Sequence, residues 1–194
     1  MARPRTKSDE AILEATARAI GHHGLSALTL VAVANQAGVS PATLVQRFGS
    51  KRGLLLALAR HGAAETAALF HRLRADRTSP LVALYDVTAT FSAKVRSPQE
   101  LANHLGFLHL DLADEEFRRH AVTQFQHLHA GFTNLISEAV QVGELVADVD
   151  PVRLARMVQL TYHGALIVWA MAPEGALADV LRNDLDHLFQ AYRR

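Results

Sequence analysis

The stretch Ala34–Lys51, ANQAGVSPATLVQRFGSK, decides the fold. It reads as the end of a helix, a tight turn at Gly38, a short helix, a second turn and the first residue of another helix. Gly38 can take the left-handed backbone that ends a helix without Cβ strain. Ser40 is placed to cap the next helix, and Pro41 fits its first turn, where no N–H is needed. Between the apolar anchors Val39, Leu44 and Phe48 stand Ser40, Pro41, Ala42, Thr43, Gln46 and Arg47. A short helix held by a few apolar residues, with its other face small and polar, suits a DNA groove. The pattern predicts a helix-turn-helix DNA binder.

Upstream, residues 9–22 place Ile12, Leu13, Thr16, Ala17 and Ile20 on one face, a helical stripe that His22-His23-Gly24 ends. Thr29 is placed to cap a short helix, 30–36. Downstream, Ser50 caps a longer helix running from Lys51 to the region of Ala75. That helix leaves the head and enters the rest of the chain, which makes it the natural mechanical link.

The segment from Ile12 to Leu55 resembles the tetracycline-repressor (TetR) family of one-component bacterial regulators. The resemblance rests on Ile12, Ala15, Gly24, Thr29, Val33-Ala34, Ala37-Gly38-Val39-Ser40, Thr43-Leu44, Phe48, Ser50-Lys51 and Leu54-Leu55. It implies an all-α protein: a three-helix helix-turn-helix domain over residues 1–55 and a six-helix ligand-binding and dimerisation domain over 56–194. The DNA-facing set it implies is Thr29, Ser40, Pro41, Ala42, Thr43, Gln46, Arg47 and Lys51. Ser40, Thr43, Arg47 and Lys51 position the helix on phosphates. Pro41, Ala42 and Gln46 face base edges, with Gln46 able to make a bidentate contact to adenine. The chain departs from the family pattern at Ala42, where glycine is usual, at Val45, where tyrosine is usual, and at Val31, where a basic residue is common. Val45 cannot donate the phenol hydrogen bond to a phosphate, so Thr43, Arg47 and Lys51 carry more of that work.

Composition agrees with a packed helical protein: 49% of the residues are apolar and 20% charged. There is no cysteine, which excludes thiol sensing, thiolate metal sites and disulfides. The start of the chain, MARPRTKSDE, lacks the apolar core of a signal peptide. The longest apolar run, Ala165 to Ala172, falls well short of the roughly 20 residues a spanning helix needs. The expectation is a cytoplasmic protein with no membrane partner. Net charge is only +1, yet residues 1–60 hold eight Lys/Arg against three Asp/Glu, and residues 61–194 hold twelve against sixteen. A basic head on an acidic body directs a polyanion to one end of the molecule. The arm Ala2-Arg3-Pro4-Arg5-Thr6-Lys7 reads either as a solubilising terminus or as a basic arm for phosphates or a minor groove.

The body shows its joints as helix caps. Ser79-Pro80 opens one helix, Ser97-Pro98-Gln99-Glu100 opens another with a capping box, and Asp150-Pro151 opens a third. Asp114-Glu115-Glu116 starts a long helix with acids at its positive end, and the cluster reads as a solvated helix end. Residues 154–171 are apolar almost all round, and 177–192 carry a broad apolar stripe. With the resemblance, these last two helices imply a two-fold homodimer interface built from Leu160, Ile167, Leu177, Leu181, Leu185 and Leu188; a monomeric core is the other reading.

Catalytic patterns are poor: no GxSxG, HExxH or glycine-rich phosphate loop occurs. His127 and His129 project about 200° apart on a helix, His120 and His127 lie about two turns apart, and His104 and His109 diverge, so no metal or other cofactor is expected. The middle helices offer an apolar wall with a few hydroxyl and imidazole groups: Tyr85, Thr88, Phe91, His104, Phe107, Leu108, Phe125 and His129. Such walls suit a small apolar or amphipathic ligand. The sequence therefore supports a repressor of a double-stranded DNA operator, released by that ligand and not an enzyme. Its rivals are a helical-bundle enzyme or metal/haem binder, and an architectural DNA binder without an effector.

Overall fold

The structure, a computed structural model, describes residues 7–193. Residues 2–6 of the basic arm lie outside them. Nine helices occur among the described residues: α1 (Asp9–Ala27), α2 (Leu30–Ala37), α3 (Pro41–Phe48), α4 (Lys51–Ala75), α5 (Pro80–Ser92), α6 (Pro98–Ala113), α7 (Glu115–Gln141), α8 (Pro151–Met171) and α9 (Leu177–Gln190). The only extended pairing among these residues is an isolated bridge between Leu145 and Arg193.

The caps follow the sequence closely. Thr29, Ser40 and Ser79 each accept the backbone N–H three residues on, at 3.1 Å, and Asp150 accepts those of Val152 and Arg153. One local expectation changes. The first helix does not finish at His22-His23-Gly24: Gly24 breaks the backbone at φ 71°, and one further turn carries α1 to Ala27. At the Ser97–Glu100 box Ser97 accepts from Glu100 N–H at 3.2 Å, and the Glu100 carboxylate accepts from Arg96 N–H at 2.8 Å. The Arg96 guanidinium, 2.6 Å away, draws it there.

The chain forms two compact units, one of the described residues up to Ala63 together with Ala102–Ala121, the other of Ala64–Leu101 together with the residues from Val122 on. This division differs from a cut at residue 55, because α6 and α7 return to the head. In the first unit Ile12, Ile20, Leu28, Val33, Leu44 and Leu54 form a buried core, and Phe107, Leu110 and Phe117 pack against or within it. The acidic cluster is also more than a solvated helix end. Arg52 forks to Asp114 and Glu116, both at 2.7 Å, while its guanidinium lies over the Phe117 ring.

In the second unit Phe70, Leu84, Phe132, Ile136, Val158, Leu185 and Phe189 belong to one core. Gly131 on α7 makes that core possible: a Cβ there would stand 2.5 Å from the Phe70 ring, so only glycine admits the ring. A smaller cluster joins Ala165 and Trp169 of α8 to Leu177 and Leu181 of α9. Tyr85 donates to Asp186 at 2.7 Å and accepts from Arg193 at 2.7 Å. The Tyr85 hydrogen bond, seconded by Arg193, holds the Asp186 carboxyl below its usual range.

One half-buried carboxyl gives a pH prediction. Burial alone pushes Asp111 up to about 6. A carboxyl raised on folding costs stability when ionised, so the cost is absent below about pH 4 and complete above the folded value. Asp111→Asn should raise the melting temperature at pH 8 and leave it unchanged at pH 3.5. Equal effects at both values would show that Asp111 is solvated.

Candidate nucleic-acid interface

The α2–α3 corner is built by its backbone. Gly38 sits at φ 68°, ψ 38°, and the Val39 N–H reaches back to Ala34 O at 3.0 Å, which closes α2 and turns the chain. Ser40 Oγ accepts the Thr43 N–H and lies 2.9 Å from Thr43 Oγ1, so one hydroxyl starts α3 and steadies the next. Leu44 is 1% exposed and fastens α3 to α2 and α1. On the other side Pro41, Ala42, Val45 and Gln46 are exposed, with Thr43 and Arg47 partly so. Thr29 is exposed too, though its hydroxyl already serves as the α2 cap.

The basic side chains are held rather than loose. Arg47 donates to Lys7 O at 2.6 Å and to Asp9 at 3.0 Å, which ties the end of α3 to the start of α1. Lys51 Nζ donates to Leu25 O at 3.0 Å, capping the last turn of α1. Each keeps further N–H donors beyond these bonds. Two exposed valines, Val31 and Val45, flank the polar set and stand where sequence reasoning saw only missing polar groups.

A model of the TetR family of bacterial regulatory proteins matches residues 12–58, and the BetI-type transcriptional repressor C-terminal model matches 86–193. The chain belongs to the TetR family. TetR-family proteins are DNA-binding transcription regulators, which is not an enzyme class. The chain is 32% identical over 129 residues to the HTH-type transcriptional regulator BetI of Rhizobium meliloti. That match covers 62% of this chain and 60% of the relative's own length. A TetR transcription regulator from Haloarcula marismortui has the same fold, with a TM-score of 0.77 at 20% identity over 96% of this chain and 98% of that one. The transcriptional regulator FadR from Bacillus subtilis, solved in complex with stearoyl-CoA, gives 0.70 at 19% identity over 93% and 97%.

The residues expected to line a ligand pocket do not gather in one place. Phe91, Phe125 and His129 come together in the second unit through residues the sequence reading missed. Gln159, 5% exposed, donates to Phe125 O and accepts at 3.2 Å from His129 Nδ1. Phe91, Tyr162, His163 and Phe125 form a row of ring contacts, with centroids 6.4, 5.1 and 5.2 Å apart. Adjacent aromatic residues at 162 and 163 were the available signal. Tyr85 and Thr88 instead line a separate cavity of about 180 Å³ with Leu181 and Arg182. His104, Phe107 and Leu108 belong to the first unit: His104 stands over Gly21, and Phe107 meets Phe117 edge-on at 5.8 Å.

The expected dimer seam also divides. Leu177, Leu181 and Leu185 are 4%, 2% and 0% exposed within one protomer, so they hold α9 to its own core and are not available to a partner. Leu188 is half-buried. Leu160 and Ile167 remain outward, 52% and 38% exposed, in line with Met157, Val168 and Met171. Gly164 lies in the middle of that face with open space beyond its Cα. Among the described residues no cluster of metal-binding side chains occurs, and no helix is long and apolar enough to cross a membrane.

Proposed function

We propose that the chain is a homodimeric, cytoplasmic repressor, without catalytic activity, that leaves its operator when a small apolar or amphipathic ligand binds the second unit. The observation that carries this reading is the α3 surface: Leu44 inward, and Pro41, Ala42, Val45 and Gln46 outward on a helix capped at both ends. Thr29, Ser40, Thr43, Arg47 and Lys51 would position it on the phosphates. Gln46 would read adenine, and Val45 the thymine methyl that an apolar side chain suits. The protomers would meet along the outward face of α8, through Leu160 and Ile167, with Leu188 at its edge. The ligand would lie along the aromatic row of Phe91, Tyr162, His163 and Phe125, steadied by His129. The stearoyl-CoA held by the Bacillus subtilis neighbour supports a ligand-responsive body. By linkage, ligand weakens DNA binding by the factor by which DNA weakens ligand binding.

Fluorescence anisotropy with DNA flanking the protein's own gene tests the reading. Two subunits should bind each operator, with affinity falling steeply as salt rises. Lys51→Ala should weaken all sequences alike and reduce the salt slope by about one. A change in base preference would instead make Lys51 a reading residue. Absence of any preference for the flanking DNA over random duplex would remove the repressor assignment.

A further inference from the structure

A cleft of about 530 Å³ opens inside the first unit, between the end of α1, the start of α4 and α6. Its volume lies in the usual range for small-molecule sites. The walls are Leu25, Leu55 and Leu110; the polar groups on it are Ser26, Lys51, Asn103 and His109, and no acidic residue lines it. Its shape follows from two glycines. Gly24 bends α1 at positive φ, and a Cβ on Gly106 would meet Leu25 Cβ at 3.2 Å, so α6 runs close beside the bend. Asn103 clasps that bend by donating to Gly21 O at 2.8 Å.

Lys51 is the unusual member. It is half-buried, and among the described residues it makes a single hydrogen bond, to the neutral carbonyl of Leu25, and no ion pair. An ammonium has three donors and a full charge, so such a site favours an anion. One ammonium beside a hydroxyl, an amide and an imidazole matches one carboxylate better than a phosphate, which prefers several ammonium groups or a guanidinium fork. The leucine walls call for a hydrocarbon part.

We propose that this cleft binds a small organic monocarboxylate, its carboxylate on Lys51 and its hydrocarbon body against Leu25, Leu55 and Leu110. The site is distinct from the aromatic row of the second unit. A consequence, resting on the DNA reading above, is direct competition: the carboxylate occupies the ammonium that a DNA phosphate would need, so operator affinity falls.

The test uses the full chain, first without DNA. In isothermal titration 2-naphthoate should bind, while 2-naphthamide, of the same shape without charge, and inorganic phosphate should bind more weakly by about tenfold or more. Lys51→Met should weaken naphthoate by about tenfold or more. Ala102→Phe, which fills the cleft from its exposed rim and leaves Lys51 in place, should do the same, with circular dichroism reporting that the variant is folded. Equal binding of the amide, equal binding of phosphate, or unchanged binding to folded Ala102→Phe would overturn the proposal. These outcomes are independent of whether the chain represses. With operator present, naphthoate should shift the anisotropy midpoint upward. A midpoint that stays put while naphthoate is bound would overturn the competition.

Discussion

Replacing Gly53 by alanine should abolish operator binding and melt the head, the largest effect expected of any one-methyl change in this protein. Gly53 stands in the first turn of α4, and a Cβ there would lie 2.0 Å from the carbonyl oxygen of Phe48. That oxygen is backbone at the end of α3 and cannot rotate aside. Relief requires the last turn of α3 to move, which displaces Leu44 and Phe48 from the core and takes Gln46 and Arg47 with them. Overpacking of this kind costs about 3 kcal/mol, a large share of the stability of a small helical unit. Gly38→Ala is the contrasting case. Nothing lies within 4 Å of an added methyl there, so only the left-handed backbone resists it, at about 1 kcal/mol. Thermal melts and anisotropy on both variants check the order. If Gly53→Ala melted like the parent, the close approach of α3 to α4 would be wrong.

Charge placed on α8 and on α9 should give opposite results. Ile167→Glu and Leu160→Glu put a carboxylate on an exposed surface of one protomer, so both should fold with parental circular dichroism and sediment as monomers. A monomer engages one half-site, and loss of the second contact should lower operator affinity by about a hundredfold or more. Leu181→Glu puts the same group where the side chain is 2% exposed, beneath Trp169 and Leu177 in the same cluster. An unpaired buried charge costs about 3–5 kcal/mol, so this protein should unfold or aggregate rather than dissociate. Sedimentation velocity with a thermal melt separates the outcomes. A folded, dimeric Ile167→Glu would move the proposed interface away from α8.

Local chemistry was legible in the sequence, and partnership was not. The turn at Gly38 and the caps at Thr29, Ser40, Ser79 and Asp150 depend on residues within three or four positions of one another, so their types announce them. A stripe such as Leu177, Leu181 and Leu185 announces only that a face is buried. Whether its partner is α8 of the same chain or another copy depends on contacts no stripe encodes. Gly53 went unremarked because helical periodicity is blind to a carbonyl arriving from the preceding helix. Gln159 went unremarked because one polar residue among apolar neighbours reads as surface. Residues 102–121 were assigned to the body by order along the chain, whereas Phe107, Leu110 and Phe117 carry them into the head's core.

The fit of Phe70 against Gly131 keys α4 to α7. The ring occupies the space a glycine leaves, so α4 cannot slide along α7 without losing that contact. One turn further on, Arg74 is pinned to Glu138, a second fastening between the same two helices. Two fastenings one turn apart fix the register of the pair as a key fixes a shaft. A key made of one phenyl ring on one bare backbone would tolerate almost no substitution on either side.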